Sequence, residues 1–356
     1  MMTSFPELKK FYSGKKVLIT GSSGFKGAWL SLWLSEYGAE VTGFSMNPPS
    51  KPNLFTILNL RKTITEIKGD IRKYSEINNT IKKSKPDIIF HLAAQPILLK
   101  SYDLPVDTFA TNVMGTVNLL DSAYRQGTAS SILNVTTDKC YQNVGRRVAY
   151  NEEDKLGGSD PYSASKAASE LATVAYSRSF FLKKGIGVST ARAGNIIGGG
   201  DWGEYRLVPS MATSFSKGKA VMIRNPNAIR PWQYVLDALN GYLILAMKNY
   251  REPEKYSGAW NFGPEQDSIR TVTDFAEQFS NAWGNGKIKI QKSNKNHEDQ
   301  ILLLNSTKAR SRLNWKSMLE FEDMVSITAK WYKQYYKNED MCEATKKLIK
   351  EYVSRT

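Results

Sequence analysis

The sequence predicts an α/β fold built on a doubly wound parallel sheet, and three observations carry that prediction. Residues 16–30, KVLITGSSGFKGAWL, read as strand, glycine turn and helix in quick succession. Short strands then recur at residues 40–44, 64–70 and 86–93, the last fully apolar, separated by helix-length segments, the alternation that produces a parallel sheet. Residues 131–137, SILNVTT, give a further strand that ends in Asp138, Lys139, Cys140 and Tyr141. Ionisable groups at the carboxyl end of such a strand stand where an open α/β sheet places its chemistry.

The first strand rests on Val17, Leu18 and Ile19, a short apolar run suited to the middle of a sheet. Gly21, Gly24 and Gly27 follow in a GxxGxxG pattern. A chain that leaves a sheet and enters a helix at once needs one residue without Cβ to turn, one where a phosphate approaches and one where helix packs on strand. The helix N-terminus then offers free N–H groups to a pyrophosphate. A tight turn with no ligand uses the same glycines. The helix should end near Tyr37, with Gly38 as its cap.

After the second strand the position that often carries an acid for the adenosine ribose is Ser45. No acid and no arginine lies nearby, so this position does not separate NAD from NADP. Residues 47–53 form a proline-rich loop, and Asp70, at the end of the third strand, could meet an adenine base. His91 lies inside an apolar strand and reads as a packed, hydrogen-bonded core residue. Asn112 opens the segment NVMGTVNLL, either as a helix cap or as a brace for a site on the sheet.

Asp160 and Pro161 are an N-cap and a first-turn proline, which place Tyr162 and Lys166 at i and i+4 on one helix face. An ammonium held there would lower the pKa of the phenol and make it a usable base. Beyond Gly194 the strand–helix alternation is expected to fade. The run from Gly198 to Trp202 reads as a mobile loop near a ligand, and residues 264–356, with His297 and Trp315, read as scaffold.

The chain's 356 residues are enough for two domains or one large one, with an ordinary globular composition of 41% hydrophobic and 11% aromatic residues. No apolar run approaches the ~18 residues that span a bilayer, and the first residues carry no secretory pattern. Cys140 and Cys342 are too few for a disulfide framework or a zinc site, so no metal is expected and the setting reads as a reducing cytoplasm. The net charge of +15 is scattered in Lys-Lys pairs without a nucleic-acid signature. It would draw in a small anionic substrate.

TGSSGFKG (20–27), the Asn112 segment, TTDK (136–139), YSASK (162–166), RAGN (192–195), RPWQYV (230–235), WNFG (260–263) and LNW (313–315) resemble the extended short-chain dehydrogenase/reductase superfamily over nearly all the chain. GFKGAWLSLWL (24–34), HLAAQP (91–96), TTDKCY (136–141), GNIIGGGDW (194–202) and RNPNAIRPWQYV (224–235) are similar to its 4,6-dehydratases of CDP-glucose. The resemblance implies a Rossmann-type NAD-binding domain over residues 1–195, to which 233–262 return, and a smaller α+β nucleotide-sugar-binding domain over 196–356.

It also implies cofactor contacts from Gly21, Gly24, Phe25, Lys26, Gly27, Asp70, Ile71, Ala93, Ala94, Gln95, Asn112, Tyr162 and Lys166. Asn195, Arg206, Arg224 and Arg230 are implied for the substrate, and a homodimer or homotetramer for the assembly, with no role for nucleic acid or membrane. Catalysis falls to Thr137, Asp138, Lys139, Tyr162 and Lys166. Tyr162 would take the 4-hydroxyl proton as hydride leaves C4, with Thr137 and Lys166 supporting the phenolate. Asp138 and Lys139 would then remove the C5 proton and protonate the departing hydroxyl, and hydride would return to C6. Lys139 replaces the glutamate of the commoner Asp-Glu pair, and the division of roles between Asp138 and Lys139 stays open. A lysine base needs a pKa well below its ordinary ~10.4.

Overall fold

The computed structural model describes residues 3–145, 148–290 and 301–355. His297 lies outside the described residues. Seven parallel strands form the main sheet: β1 (Lys16–Thr20), β2 (Glu40–Ser45), β3 (Thr65–Lys68), β4 (Ile88–His91), β5 (Ser131–Val135), β6 (Gly187–Ala193) and, after three strands outside it, β10 (Gly258–Phe262). Their order is β10-β6-β5-β4-β1-β2-β3, so the winding reverses between β1 and β4. Such a switch point opens a crevice outside the strand ends.

The alternation along β1 sends Leu18 to the apolar layer on one face of the sheet and Val17 and Ile19 to the layer on the other. The helix Phe25–Glu36 is buried continuously from Gly27 to Leu34. It is apolar all round because it is covered from both sides. Trp33 meets Tyr352 of the last helix, Met341–Val353, edge-on at 5.7 Å, and Trp29 Nε1 donates to Gly199 O at 2.9 Å.

The strand–helix alternation does not stop at Gly194, contrary to the sequence expectation. β7 (Asn195–Ile197), β8 (Ala220–Ile223) and β9 (Ile229–Tyr234) precede the helix Val235–Arg251, which leads into β10 beside β6. β11 (Ile269–Thr271) joins β9 and β7 in a three-stranded sheet, and β12 (Lys287–Ile290) pairs with β8. These small sheets stand beyond the carboxyl end of the main one and wall in the crevice.

Two local expectations are corrected. Asn112 does not open a helix: it sits inside a π turn, Ala110–Met114, that joins Pro105–Phe109 to Gly115–Gln126. The glycine run at 198–200 is packed rather than loose. A Cβ on Gly199 would lie 2.1 Å from the Trp331 ring, and one on Gly200, which has φ +86°, 2.4 Å from Leu54. Trp315 is scaffold as expected, buried with Nε1 donating to Asp237 O at 2.9 Å. Among the described residues no helix is long and apolar enough to cross a membrane, and no cluster of side chains is suited to holding a metal ion.

Candidate active site

A cavity of about 770 Å³ occupies the crevice, within the range of small-molecule and cofactor sites. The glycine turn forms one wall. Gly21 has φ +72°, and a Cβ on it would meet Ala93 N at 2.7 Å. A Cβ on Gly27 would meet Gly21 O at 2.2 Å, so the helix lies directly on the turn. Gly24 caps the helix Phe25–Glu36 without a side-chain bond, which leaves its first N–H groups to the cavity. This cradle fits a pyrophosphate, and the residues present therefore fit a dinucleotide.

Gly21, Gly24, Phe25, Lys26, Gly27, Asp70, Ile71, Ala93 and Ala94 all line the cavity, with Ser45 at the end of β2. Asp70 is engaged: Arg72 Nη2 donates to its Oδ2 at 2.7 Å and Nε to Oδ1 at 3.0 Å, and this pairing holds the carboxyl below its ordinary range. Gln95 and Asn112 differ from the expectation, because both lie behind the wall. Asn112 Oδ1 accepts from Gln95 N at 2.8 Å, and its Nδ2 donates to Ser165 Oγ at 2.9 Å. Gln95 turns its amide to Thr108 Oγ1 at 2.9 Å. They brace the loop after β4. His91 is buried, with Nδ1 2.7 Å from Thr20 Oγ1 and Nε2 3.1 Å from Thr116 Oγ1. Burial and the charge of Lys166 push it down to about 3, so it stays neutral, as a core residue should.

The expected catalytic groups meet on the next wall. Asp160 caps the helix Pro161–Tyr176 by accepting from Ser163 N at 2.9 Å, with Pro161 in the first turn. That geometry delivers Tyr162 and Lys166, both buried, to the end of β5. There Thr137 caps a single 3-10 turn, Asp138–Cys140. Thr137 Oγ1 donates to Asp138 Oδ1 at 3.0 Å and accepts from Lys139 N at 3.3 Å. Asp138 is buried and Lys139 half-buried.

Burial pushes the Tyr162 phenol up to about 12, and the Asp138 charge adds to this, whereas the Thr137 hydrogen bond and the Arg206 charge draw it down. Burial lowers Lys166 to about 8, opposed by Glu170 and Cys140. Lys166 Nζ donates to Val135 O at 3.3 Å, and Arg206 is a cation that draws the phenol down. Lys26, in the cavity wall, falls to about 7 through burial and the charges of Lys166 and Arg206.

Asn195, Arg206, Arg224 and Arg230 also line the cavity, from four separate places in the chain. Arg230 is buried on β9 and Arg224 exposed just after β8. Arg206 Nη1 donates to Asp201 Oδ2 at 2.5 Å, and Glu204 of the same loop pairs with Lys100 at 2.7 Å. Asp201 was not singled out from sequence; its place in the run GGGDW was the available signal. Met222, Asn225 and Trp232 also line the cavity; Asn225 and Trp232 lie in the run RNPNAIRPWQYV, whereas Met222 carried no local signal.

A doubly wound sheet with a glycine cradle, a Tyr/Lys pair and a Thr-Asp-Lys strand end defines a class of nucleotide-binding enzymes. The family model described as GDP-mannose 4,6 dehydratase matches residues 18–328, and the chain belongs to that family. More particularly, it is 41% identical over 354 residues to a CDP-glucose 4,6-dehydratase of Salmonella typhimurium, covering 98% of this chain and 99% of that protein. A probable dTDP-glucose 4,6-dehydratase of Sinorhizobium fredii is 28% identical over 333 residues, covering 89% of this chain and 92% of that protein. Among solved structures, the dTDP-glucose 4,6-dehydratase of Bacillus anthracis in complex with NAD shares the fold, with TM-score 0.76, 23% identity and coverage of 91% and 98%.

Proposed function

We propose that this enzyme converts CDP-glucose to CDP-4-dehydro-6-deoxyglucose by NAD-dependent 4,6-dehydration in the cytoplasm, as a step of deoxysugar biosynthesis. The observation that carries the reading is the full-length 41% identity to a CDP-glucose 4,6-dehydratase, with Thr137, Asp138, Lys139, Tyr162 and Lys166 on the wall of one cavity. Gly21, Gly24 and Gly27 would hold the pyrophosphate of NAD, with Ile71, Ala93 and Ala94 against its adenosine half. When bound, NAD supplies the hydride acceptor for C4 of the sugar and the donor for C6.

The chain's own groups move the protons. Tyr162 takes the proton of the 4-hydroxyl, and its phenolate is supported by Thr137, Arg206 and the ammonium of Lys166. The resulting ketone acidifies C5–H. Asp138 and Lys139, adjacent at the end of β5, are the pair for C5 deprotonation and for protonation of the leaving hydroxyl. Arg206, Arg224 and Arg230 suit the substrate's diphosphate, since a guanidinium fork matches two phosphate oxygens. We assign residues 1–195 and 233–262 to the cofactor half and the remainder of 196–356 to the substrate half. Exposed Val106, Phe109, Met114 and Leu171 on helices of the cofactor half support a homo-oligomer.

The test is to incubate the purified protein with CDP-glucose, and with GDP- and UDP-sugars in parallel, and to follow substrate mass without a second reductant. Loss of one water from CDP-glucose is expected. Loss from another sugar nucleotide would overturn the base, and unchanged mass throughout with cofactor bound would favour an epimerase or a protein without catalysis.

A further inference from the structure

Behind the catalytic wall lies a polar cluster that the proton transfers above leave unused. Glu170 stands one turn beyond Lys166 on the helix Pro161–Tyr176 and is fully buried. Thr136 Oγ1 donates to its Oε1, and Oε2 accepts from Thr190 Oγ1 at 2.6 Å and from Arg192 Nη2 at 2.8 Å. Arg192 is itself buried, and its Nη1 donates to the Tyr141 hydroxyl at 2.7 Å, which in turn donates to Asn261 Oδ1 at 2.8 Å. A buried ion pair is a poor source of stability, because desolvating two charges offsets most of their attraction. Its presence one helical turn from Lys166 therefore calls for another account.

We infer that Glu170 is a positioning residue for the active site, the counter-charge that keeps Lys166 an ammonium in a cavity crowded with cations. The inference rests on the dehydratase reading. Five groups bear on Lys166: Glu170 and Tyr162 from its own helix, Cys140 from the turn after β5, Lys26 from the helix Phe25–Glu36, and His91 from β4. His91 is neutral, the Cys140 thiol is pushed up by burial and so stays protonated, and Lys26 repels. Tyr162 keeps its proton at rest, its phenol pushed up by burial, so of the five Glu170 alone carries a full negative charge. The three donors on its carboxylate explain why it remains ionised there: Arg192, Thr136 and Thr190 overcome the desolvation and hold it below its ordinary range. Arg192 bonds Oε2 of Glu170 at 2.8 Å and secures the carboxylate in its ionised form.

Glu170→Gln alone strands the Arg192 charge and is expected to fold poorly, so the decisive variant is the double change Glu170→Gln with Arg192→Met, which removes both charges at similar volume. The Lys166 titration is read by nitrogen NMR on lysine-labelled, NAD-loaded protein, assigned with Lys166→Met. Removing Arg192 by itself would push Lys166 upward, so a fall reports the lost carboxylate. We expect Lys166 to titrate about one unit or more lower, and the alkaline limb of the kcat profile to move down with it. Glu170→Asp, which keeps the charge, should titrate within about half a unit of the parent. An unmoved Lys166 titration with kcat reduced equally at every pH would make Glu170 purely structural and overturn the inference. Absence of dehydration by the parent enzyme would instead refute the function, and the NMR titration would still decide the role of Glu170.

Discussion

Thr137→Val tests the centre of the site. The Thr137 hydroxyl has one proton, which in this structure goes to Asp138 Oδ1 at 3.0 Å while its oxygen accepts Lys139 N–H at 3.3 Å. When Tyr162 ionises, the hydroxyl proton swings to the phenolate. Asp138 then loses a donor, which favours its protonated form, the form an acid for the leaving hydroxyl requires. The Tyr162 phenol starts near 12, so at pH 8 its ionised fraction is on the order of 10⁻⁴ and any lost support passes directly into rate. A hydrogen bond to a charged group is worth ~1.5–3 kcal/mol, and ~1.4 kcal/mol is tenfold. The valine variant should therefore form the reduced cofactor roughly 10- to 150-fold more slowly on mixing with CDP-glucose, and Thr137→Ser should recover most of the loss. The assay is stopped-flow absorbance of the reduced nicotinamide, with water loss followed by mass. A valine variant within twofold of the parent between about pH 6 and 9 would refute this coupling.

Lys139→Ala should retain NAD and sugar binding by calorimetry yet stop water loss; elimination at near the parent rate would reduce Lys139 to a structural residue. Gly27→Ala drives a Cβ to 2.2 Å from Gly21 O, and backbone cannot swing aside as a side chain does. It should weaken NAD binding at least ~10-fold and cost ~1–3 kcal/mol of stability, so an unchanged fluorescence titration would contradict the cradle. Asp237, raised to about 6 by burial, lies above its unfolded value of ~3.9, so its contribution to stability is full below about pH 4 and is lost as pH rises through 6. Asp237→Asn keeps an acceptor for Tyr352 OH and Met318 N, both bonded to Oδ1 at 2.7 and 2.8 Å, but gives up the Leu319 N–H bond. It should raise urea resistance by ~1–3 kcal/mol at pH 7 and leave it unchanged near pH 4, and parallel curves across that range would exclude the effect.

The parts of the fold that could be read ahead are those whose cause is local. Apolar runs at β1, β2, β4 and β5 and the Asp160-Pro161 start of a helix are decided within a few residues. The helix Phe25–Glu36 shows its burial in its own composition. The errors lie where a distant partner decides. The glycines at 198–200 look like a loose loop until Trp331 and Leu54 are seen in the space their side chains would fill. Asn112 looks like a cap because a π turn inside a longer helix has no strong sequence signal, and its partner Ser165 is 53 residues away.

The site divides along the same line, and its electrostatics are the part that stayed hidden. The i,i+4 spacing of Tyr162 and Lys166 and the strand end at Thr137 could be read because one helix and one strand deliver them. Arg206, a cation that lowers the phenol, is brought in by a loop 44 positions beyond Tyr162 in a chain whose spacing says nothing of it. At Lys26, burial, Lys166 and Arg206 act together to bring the ammonium to about 7. A cavity that gathers Lys26, Lys166 and Arg206 against Asp138 and Asp201 is short of negative charge, and the diphosphate of a nucleotide sugar would supply it. Substrate binding would then raise the lysines it approaches and raise the phenol as well, so proton traffic and substrate affinity are one problem here rather than two. Glu170, held ionised behind the wall, keeps the Lys166 charge from depending on that arrival alone.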